Sequence, residues 1–486
     1  MNFNMAKSLK VNFAFNIINT LHGLLFPLLT FPYVARVVMA EGIGQVNFYN
    51  SIINYVVLFS SIGIPMYGIR EIARVRDNVK DLTITTAEIL TLNVLLNLLG
   101  YVAIAILCLT VAEVQVNIPL FLLLSTSIIM TTIGSSWFYS GMEEFKLITI
   151  QGLITSVVSI IFLYTCVKDE NDLMLYAVYT ILGSTGKYIF NFFYLKHYIK
   201  IDYIKLKDIH PFRHLKPSLQ IFVFNLMTSI YINLDSVMLG FIKDVAAVGY
   251  YSAATKVSHI FVVTISSIGN VLLPRTSNLI KNGKIDEFNY LTEKAFRFIT
   301  MISFPICLGV IVMAPVLIHL FGGETFTPSI FTLQLVAPTI VAISLSQVTG
   351  IQVLYPLGKI NLVTISTCVG VVLNVILNVL LMPRIAQDGA AIASSIAEFG
   401  VTLTQFIMVR KYITFNLINK NFFRYVIFSV IMFIVCASAI SFITSDVLAL
   451  IIIPIVGALT FAALLLIFRD SFFMEVVDQI KSRFVK

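Results

Sequence analysis

Long apolar segments, separated by short polar ones, run along the whole chain. A helix needs about 20 consecutive apolar residues to cross the hydrocarbon core of a bilayer. By this criterion the sequence predicts an all-α integral membrane protein with about fourteen membrane-spanning helices. The predicted spans are residues 13–36, 43–67, 84–109, 116–138, 147–167, 174–195, 218–241, 248–272, 297–320, 330–354, 360–382, 388–409, 423–443 and 447–468.

Composition supports this interpretation and leaves little protein outside the membrane. The 486 residues are 58% hydrophobic and 12% charged, whereas a soluble domain has about 45–50% apolar and about 25% charged residues. No soluble core could bury so much apolar surface.

The distribution of positive charge predicts the topology. If the N-terminus is cytoplasmic, 27 of the 33 lysine and arginine residues fall in cytoplasmic segments. The segments on the outer side of the membrane contain only Arg36, Lys168, Lys243 and Arg384. Cytoplasmic loops carry the excess of Lys and Arg, and one missing span would invert every later loop. The pattern therefore predicts a multi-pass protein with both termini in the cytoplasm. The net charge of +8 reflects these loops, so we predict no nucleic-acid partner.

The first twelve spans form an internal repeat. Residues 177–199 align with residues 391–413, with Gly186 opposite Gly400 and a shared basic-Tyr-Ile ending. Six spans in each copy predict two lobes related by a parallel pseudo-two-fold axis along the membrane normal. The predicted domains are the N-terminal lobe (1–199), a cytoplasmic connector (200–217), the C-terminal lobe (218–413), and two additional helices with a cytoplasmic tail (414–486).

Motifs for several chemistries are missing from the sequence. It contains no P-loop, no G-x-G-x-x-G, no H-E-x-x-H and no G-x-S-x-G. His210 and His214 lie four residues apart, but Pro211 lies between them and no carboxylate is adjacent, so we predict no metal site. The loops assigned outside are too short for a polymerase. We therefore expect a protein that is not an enzyme and uses no cofactor.

Six ionisable residues lie within or at the ends of predicted spans. A charge at membrane depth costs about 2.5–3.5 kcal/mol on insertion scales, so such residues face a cavity or pair with one another. One interpretation is that the basic residues hold an anionic substrate while the acidic residues carry a coupling ion; the other is that they form buried ion pairs. Arg36 can also reach the interface. The basic candidates are Lys187, Lys256 and Arg36, and the acidic candidates are Asp235, Glu398 and Glu88.

The N-terminal segment resembles a known family. Leu25–Val38 reads LFPLLTFPYVARVV, followed by EGIGQVN from Glu41 and GIPMYGIREIA from Gly63. Over about residues 8–80 this resembles the polysaccharide-transporter family, the Wzx-type O-antigen and capsule flippases. That family shares a superfamily with multidrug-and-toxin exporters and the peptidoglycan lipid flippase. The motif residues, for which we expect structural roles, are Pro27, Pro32, Gly42, Gly44, Pro65, Arg70 and Glu71.

The resemblance implies two lobes around a central cavity in a bacterial inner membrane. The substrate would be an oligosaccharide linked to undecaprenyl pyrophosphate, moved by alternating access coupled to an ion gradient, with Lys187 and Lys256 as contacts for the pyrophosphate. Implied partners are membrane lipid and the polymerase and chain-length proteins of the pathway. Family members often have twelve spans, so the last two helices could form a lipid-side groove or only pack outside. The alternative function is a small-molecule or drug antiporter of the related exporter type.

Overall fold

The computed structural model describes residue 23, residues 26–204, residue 207 and residues 209–475. Within this part of the chain, every regular element is helical. Residues 26–37 form the described part of the first predicted span. Several residues named in the sequence analysis lie outside the described residues. They are the rest of that span apart from Gly23, Lys7 and Lys10, Lys205 in the connector, and the basic residues of the tail beyond 475.

The helices follow the apolar segments of the sequence. They are α1 (Met39–Ser61), α2 (Ile64–Val75), α3 (Val79–Thr110), α4 (Ala112–Gln115), α5 (Ile118–Gly134), α6 (Ser136–Gly141), α7 (Phe145–Cys166), α8 (Leu173–Thr185), α9 (Lys187–Leu195), α10 (Leu215–Ile242), α11 (Val245–Lys281), α12 (Ile285–Gly322), α13 (Ser329–Val336), α14 (Thr339–Ser346), α15 (Ile360–Val409), α16 (Lys420–Ile440) and α17 (Asp446–Ile467).

Among the described residues, eight helices are long and apolar enough to cross a membrane, and up to ten if each of two bent helix pairs counts as one span. The protein is therefore a multi-span membrane protein. The larger number of fourteen spans remains a prediction.

The helices break at positions with a local cause. The predicted span 43–67 is interrupted between α1 and α2, which bend by 43° where Ile62 and Gly63 adopt positive φ angles of 37° and 72°. Glycine adopts the left-handed region without steric cost, and Pro65 in the first turn of α2 suits the start of a new helix. The 50-residue α15 likewise has non-helical backbone at Ile385 and Ala386, where the sequence predicts the loop between two spans.

Contacts divide the chain into two compact units, Met1–Gly249 and Tyr250–Lys486. In the first unit, α10 packs on α1. A core of aromatic and aliphatic side chains lies between α2, α3 and α6, centred on Trp137, Phe138 and Tyr139. In the second unit, α16 and α17 pack on each other and on α12. The boundaries of the predicted lobes and connector remain predictions.

Candidate functional site

Lys187 is the first residue of α9. Its neighbour Tyr188 packs directly on Gly134 at the end of α5, where an added Cβ would lie 2.2 Å from the Tyr188 Cβ. This contact fixes the backbone that carries Lys187. The Lys187 side chain is half-buried, and its Nζ lies 5.6 Å from the centre of the Tyr188 ring. Lys187 is therefore a positioned cation in the first unit.

The remaining basic candidates differ in their surroundings. Lys256 lies in α11 within the second unit and is half-buried. Arg36 is exposed in the helical residues 26–37, and its Nη1 donates to the carbonyl oxygen of Pro32 at 2.6 Å. An arginine bonded to its own helix backbone fits the interfacial role considered for it.

The acidic candidates lie on three different helices. Asp235 in α10 is only 8% exposed, and two residues before it the Asn233 Oδ1 accepts a hydrogen bond of 3.3 Å from Asn54 of α1. Glu398 in α15 is half-buried. Glu88 in α3 is fully buried, and its partners are described next.

The Glu88 carboxylate accepts hydrogen bonds from three donors of the connector (residues 200–217). The His210 amide donates to Oε1 at 2.8 Å, His214 Nε2 lies 3.0 Å from Oε2, and the Arg213 guanidinium forms an ion pair with Oε2. On its other side, His214 Nδ1 lies 2.6 Å from the Tyr67 hydroxyl. These contacts are those of a charge pair, one of the two roles considered for Glu88.

Sequence reasoning did not find the partners of Glu88. They lie more than 120 residues away along the chain, and no local spacing links them. The two connector histidines were considered only as metal ligands. Among the described residues, no group of three His, Cys, Asp or Glu side chains could hold a metal ion.

The family-motif glycines lie at close helix contacts in the first unit. A Cβ on Gly44 would lie 1.6 Å from the Val245 carbonyl oxygen at the start of α11, and a Cβ on Gly249 would lie 2.0 Å from the Ala40 carbonyl oxygen. A Cβ on Gly42 would lie 3.2 Å from the side chain of Leu173 in α8, and 2.6 Å from that of Val38 one turn earlier. Small residues permit this approach of two helix backbones. Pro27 and Pro32 lie within the helical residues 26–37.

Arg70 and Glu71 form an ion pair on α2. Arg70 Nε and Arg74 Nη1 both lie 3.0 Å from Glu71 Oε1. Beyond the end of α2, Arg76 Nη1 lies 2.8 Å from Glu143 Oε1. The hydrogen bond and charge of Glu143 raise the pKa of the Arg76 guanidinium above its ordinary value.

An apolar cavity of about 570 Å³ lies in the second unit, against α12, α16 and α17. Its walls are mostly aliphatic, aromatic and methionine side chains. They include Met301, Met313, Met432, Ile453, Phe461 and Leu465. The last two helices therefore do not pack flat against α12; a partly open apolar cavity lies between them and α12.

Comparisons with known proteins agree with the fold. A protein of Escherichia coli (strain K12) named "Putative O-antigen transporter" is 22% identical over 333 residues, which is 68% of this chain and 79% of that protein. A structure described as lipid II flippase MurJ in an inward closed conformation matches with a TM-score of 0.71 at 18% identity, covering 96% of this chain and 99% of that chain. An inward-facing multidrug resistance MATE family transporter matches with a TM-score of 0.63 at 15% identity, covering 81% and 94%.

Two family models match the chain and show which family it belongs to. A model described as MatE matches residues 221–380. The model described as polysaccharide biosynthesis protein matches residues 9–280, more than half of the chain, and includes the glycine contacts of α1, the α2 ion pair, Glu88 and Lys187. The chain therefore belongs to the polysaccharide biosynthesis protein family.

Proposed function

We propose that this protein is a flippase that moves oligosaccharide repeat units linked to undecaprenyl pyrophosphate across a bacterial inner membrane. The observation that carries the proposal is the family match over residues 9–280 on a multi-span fold similar to that of a lipid II flippase. The name of the E. coli relative supports an O-antigen precursor as substrate, and a capsule precursor is the other substrate that we propose. Both termini would be cytoplasmic, and the role would be transport rather than catalysis.

The chemistry of such a substrate requires a cation inside the protein. A pyrophosphate diester carries about two negative charges, which cannot cross hydrocarbon without a partner. Lys187 is half-buried on a fixed backbone, and a lysine binds phosphate as a point charge. We propose Lys187 and Lys256, each in its own unit, as the candidates for this contact. Asp235 and Glu398 are the acidic residues proposed for coupling to an ion gradient.

Replacing Lys187 with alanine is expected to lower surface polysaccharide about tenfold or more, because a hydrogen bond to a charged group contributes about 1.5–3 kcal/mol. The measurement is complementation of a flippase-deleted strain, with surface polysaccharide quantified per molecule of membrane-inserted protein. Lys196→Ala is the matched control, since it removes an exposed positive charge nine residues further along the chain. Full activity of Lys187→Ala would exclude Lys187 as the pyrophosphate contact.

A drug antiporter is the second candidate function, favoured by the MatE match and the MATE-like fold. Gene deletion separates the two functions. Loss of surface polysaccharide with unchanged drug sensitivity supports the flippase, and the reverse result supports the antiporter.

We propose that the polyprenyl tail of the substrate binds in the apolar cavity. Its apolar lining suits an isoprenoid chain, for which each buried CH₂ contributes about 0.8 kcal/mol. The last two helices would then form a groove for the lipid tail. This is one of the two roles considered for them from the sequence, the other being simple packing on the outside.

Filling the cavity with Ala458→Phe should reduce polysaccharide export about tenfold, the effect of displacing about two CH₂ groups of the tail. Ala458 lines the cavity. Its neighbour Leu459 does not line it and is 66% exposed, so Leu459→Phe adds an aromatic ring outside the cavity and serves as the control. Equal export by the two variants would show that the tail does not use the cavity.

A further inference from the structure

The connector contacts α3 at both of its ends. At its start, the Lys200 amide donates to Thr83 Oγ1 of α3 at 3.2 Å. At its end, the His210 amide, Arg213 and His214 meet Glu88 of α3. The beginning of α10 continues this attachment, because a Cβ on Gly63 would lie 2.5 Å from the Ser218 carbonyl oxygen. The described parts of the connector thus lie against α2 and α3.

Burial makes the Glu88 contacts strong. Glu88 is fully buried and His214 is 4% exposed, so neither side chain could exchange its partner for bulk water. A buried carboxylate that loses its donors keeps the full cost of desolvation. Loss of these donors while Glu88 stays buried would therefore leave its carboxylate uncompensated.

The His214 ring is held from both sides. Nε2 of His214 lies 3.0 Å from Glu88 Oε2 and accepts a hydrogen bond of 3.3 Å from Arg213 Nε. Nδ1, on the other side of the ring, lies 2.6 Å from the Tyr67 hydroxyl. Tyr67 itself lies under the Arg70 guanidinium, 5.3 Å from the ring centre. The chain Tyr67–His214–Glu88 links α2, the connector and α3 without an unpaired group.

We propose that Glu88 is a positioning residue that fixes the connector on α3, so that α2, α3, the connector and the start of α10 move as one body during transport. The expected effect on export rests on the proposed flippase function, whereas the attachment of the connector to α3 does not. Glu88 makes no contact with substrate in this role. Its effect on export would come through the connector.

The test uses the full-length protein in lipid nanodiscs and in the complemented strain. Hydrogen exchange of the amides at 209–214 reports the attachment directly, because the His210 amide is one of the three donors. In Glu88→Ala we expect these amides to exchange at least about tenfold faster, as locally opened segments do, and surface polysaccharide to fall in parallel. Glu143→Gln, which removes an exposed carboxylate paired with Arg76, is the control and should change neither measurement.

Each outcome decides part of the proposal. Unchanged exchange in Glu88→Ala would overturn the attachment, and faster exchange with normal polysaccharide would overturn its role in transport. If the unmodified chain fails to restore polysaccharide, the flippase function is wrong while the exchange result still stands. If Glu88→Ala does not reach the membrane, Glu88→Gln and Tyr67→Phe serve instead. The first variant keeps only one acceptor oxygen, so its NH₂ must face either the His210 amide or Arg213 and His214, and the second removes the hydroxyl that bonds to His214.

Discussion

Replacing Gly44 with alanine is expected to leave little or no folded protein in the membrane. The added Cβ would lie 1.6 Å from a backbone carbonyl oxygen of Val245, and backbone cannot move aside as a flexible side chain can. The two helices would have to separate, which would also break the contact of Gly249 with Ala40 on the same face. We expect a destabilisation above about 4 kcal/mol, the range reserved for severe core disruption.

The measurement for Gly44→Ala is the yield and melting temperature of a detergent-solubilised fluorescent fusion. Gly309 in α12 provides the control, since its Cβ would meet no atom within 4 Å. Gly309→Ala should keep or slightly raise the melting temperature, because alanine is favoured over glycine in a helix by about 1 kcal/mol. A normal melting temperature for Gly44→Ala would mean that α1 and α11 do not meet at this distance.

Replacing Asp470 with alanine is expected to loosen the last two helices from α12. The Asp470 carboxylate is 2% exposed, and Oδ2 accepts from the Tyr425 hydroxyl at 3.2 Å and lies 3.6 Å from Arg297 Nη2. Its Oδ1 also accepts from the amides of Phe472 and Phe473 at 3.1 and 3.0 Å. Removing one partner of a buried ion pair costs about 3–5 kcal/mol.

Limited proteolysis and hydrogen exchange of residues 466–475 would measure this loosening. Asp446 lies at the opposite end of α17, 44% exposed, with Oδ2 3.6 Å from His319 Nδ1. An exposed pair contributes about 0–1 kcal/mol, so Asp446→Ala should leave both measurements unchanged. Equal behaviour of the two variants would refute the attachment through Asp470. Asp470→Asn, which keeps an acceptor for the two amides, should fall between them.

The positions of the helices were largely predictable because apolar length alone decides which segments can cross a bilayer. The predicted spans 84–109, 147–167 and 447–468 correspond to α3, α7 and α17. Details of the backbone geometry were harder to predict from the sequence. Pro65 in the predicted span 43–67 indicates a kink, and α1 and α2 bend by 43° there, but the sequence did not show that Ile62 and Gly63 would adopt positive φ angles.

The candidate site was less predictable than the fold. Charges within apolar segments can be identified because they are costly there, and Glu88 was found in this way. Its partners were not, since His210, Arg213 and His214 lie in a polar connector where charged residues are ordinary. The close approach of two helices at Gly44 could not be predicted either. The sequence contains the family motif, but it does not show which backbone atom faces the glycine.

The apolar cavity beside α12, α16 and α17 has a pharmacological consequence. Its volume of about 570 Å³ lies within the range of about 300–1,000 Å³ found for pockets that hold drug-sized molecules. An inhibitor directed there would be recognised through shape and apolar contact, with no need to imitate a sugar or a phosphate. Such a compound would therefore act on relatives that carry different oligosaccharides, provided that they keep these last two helices.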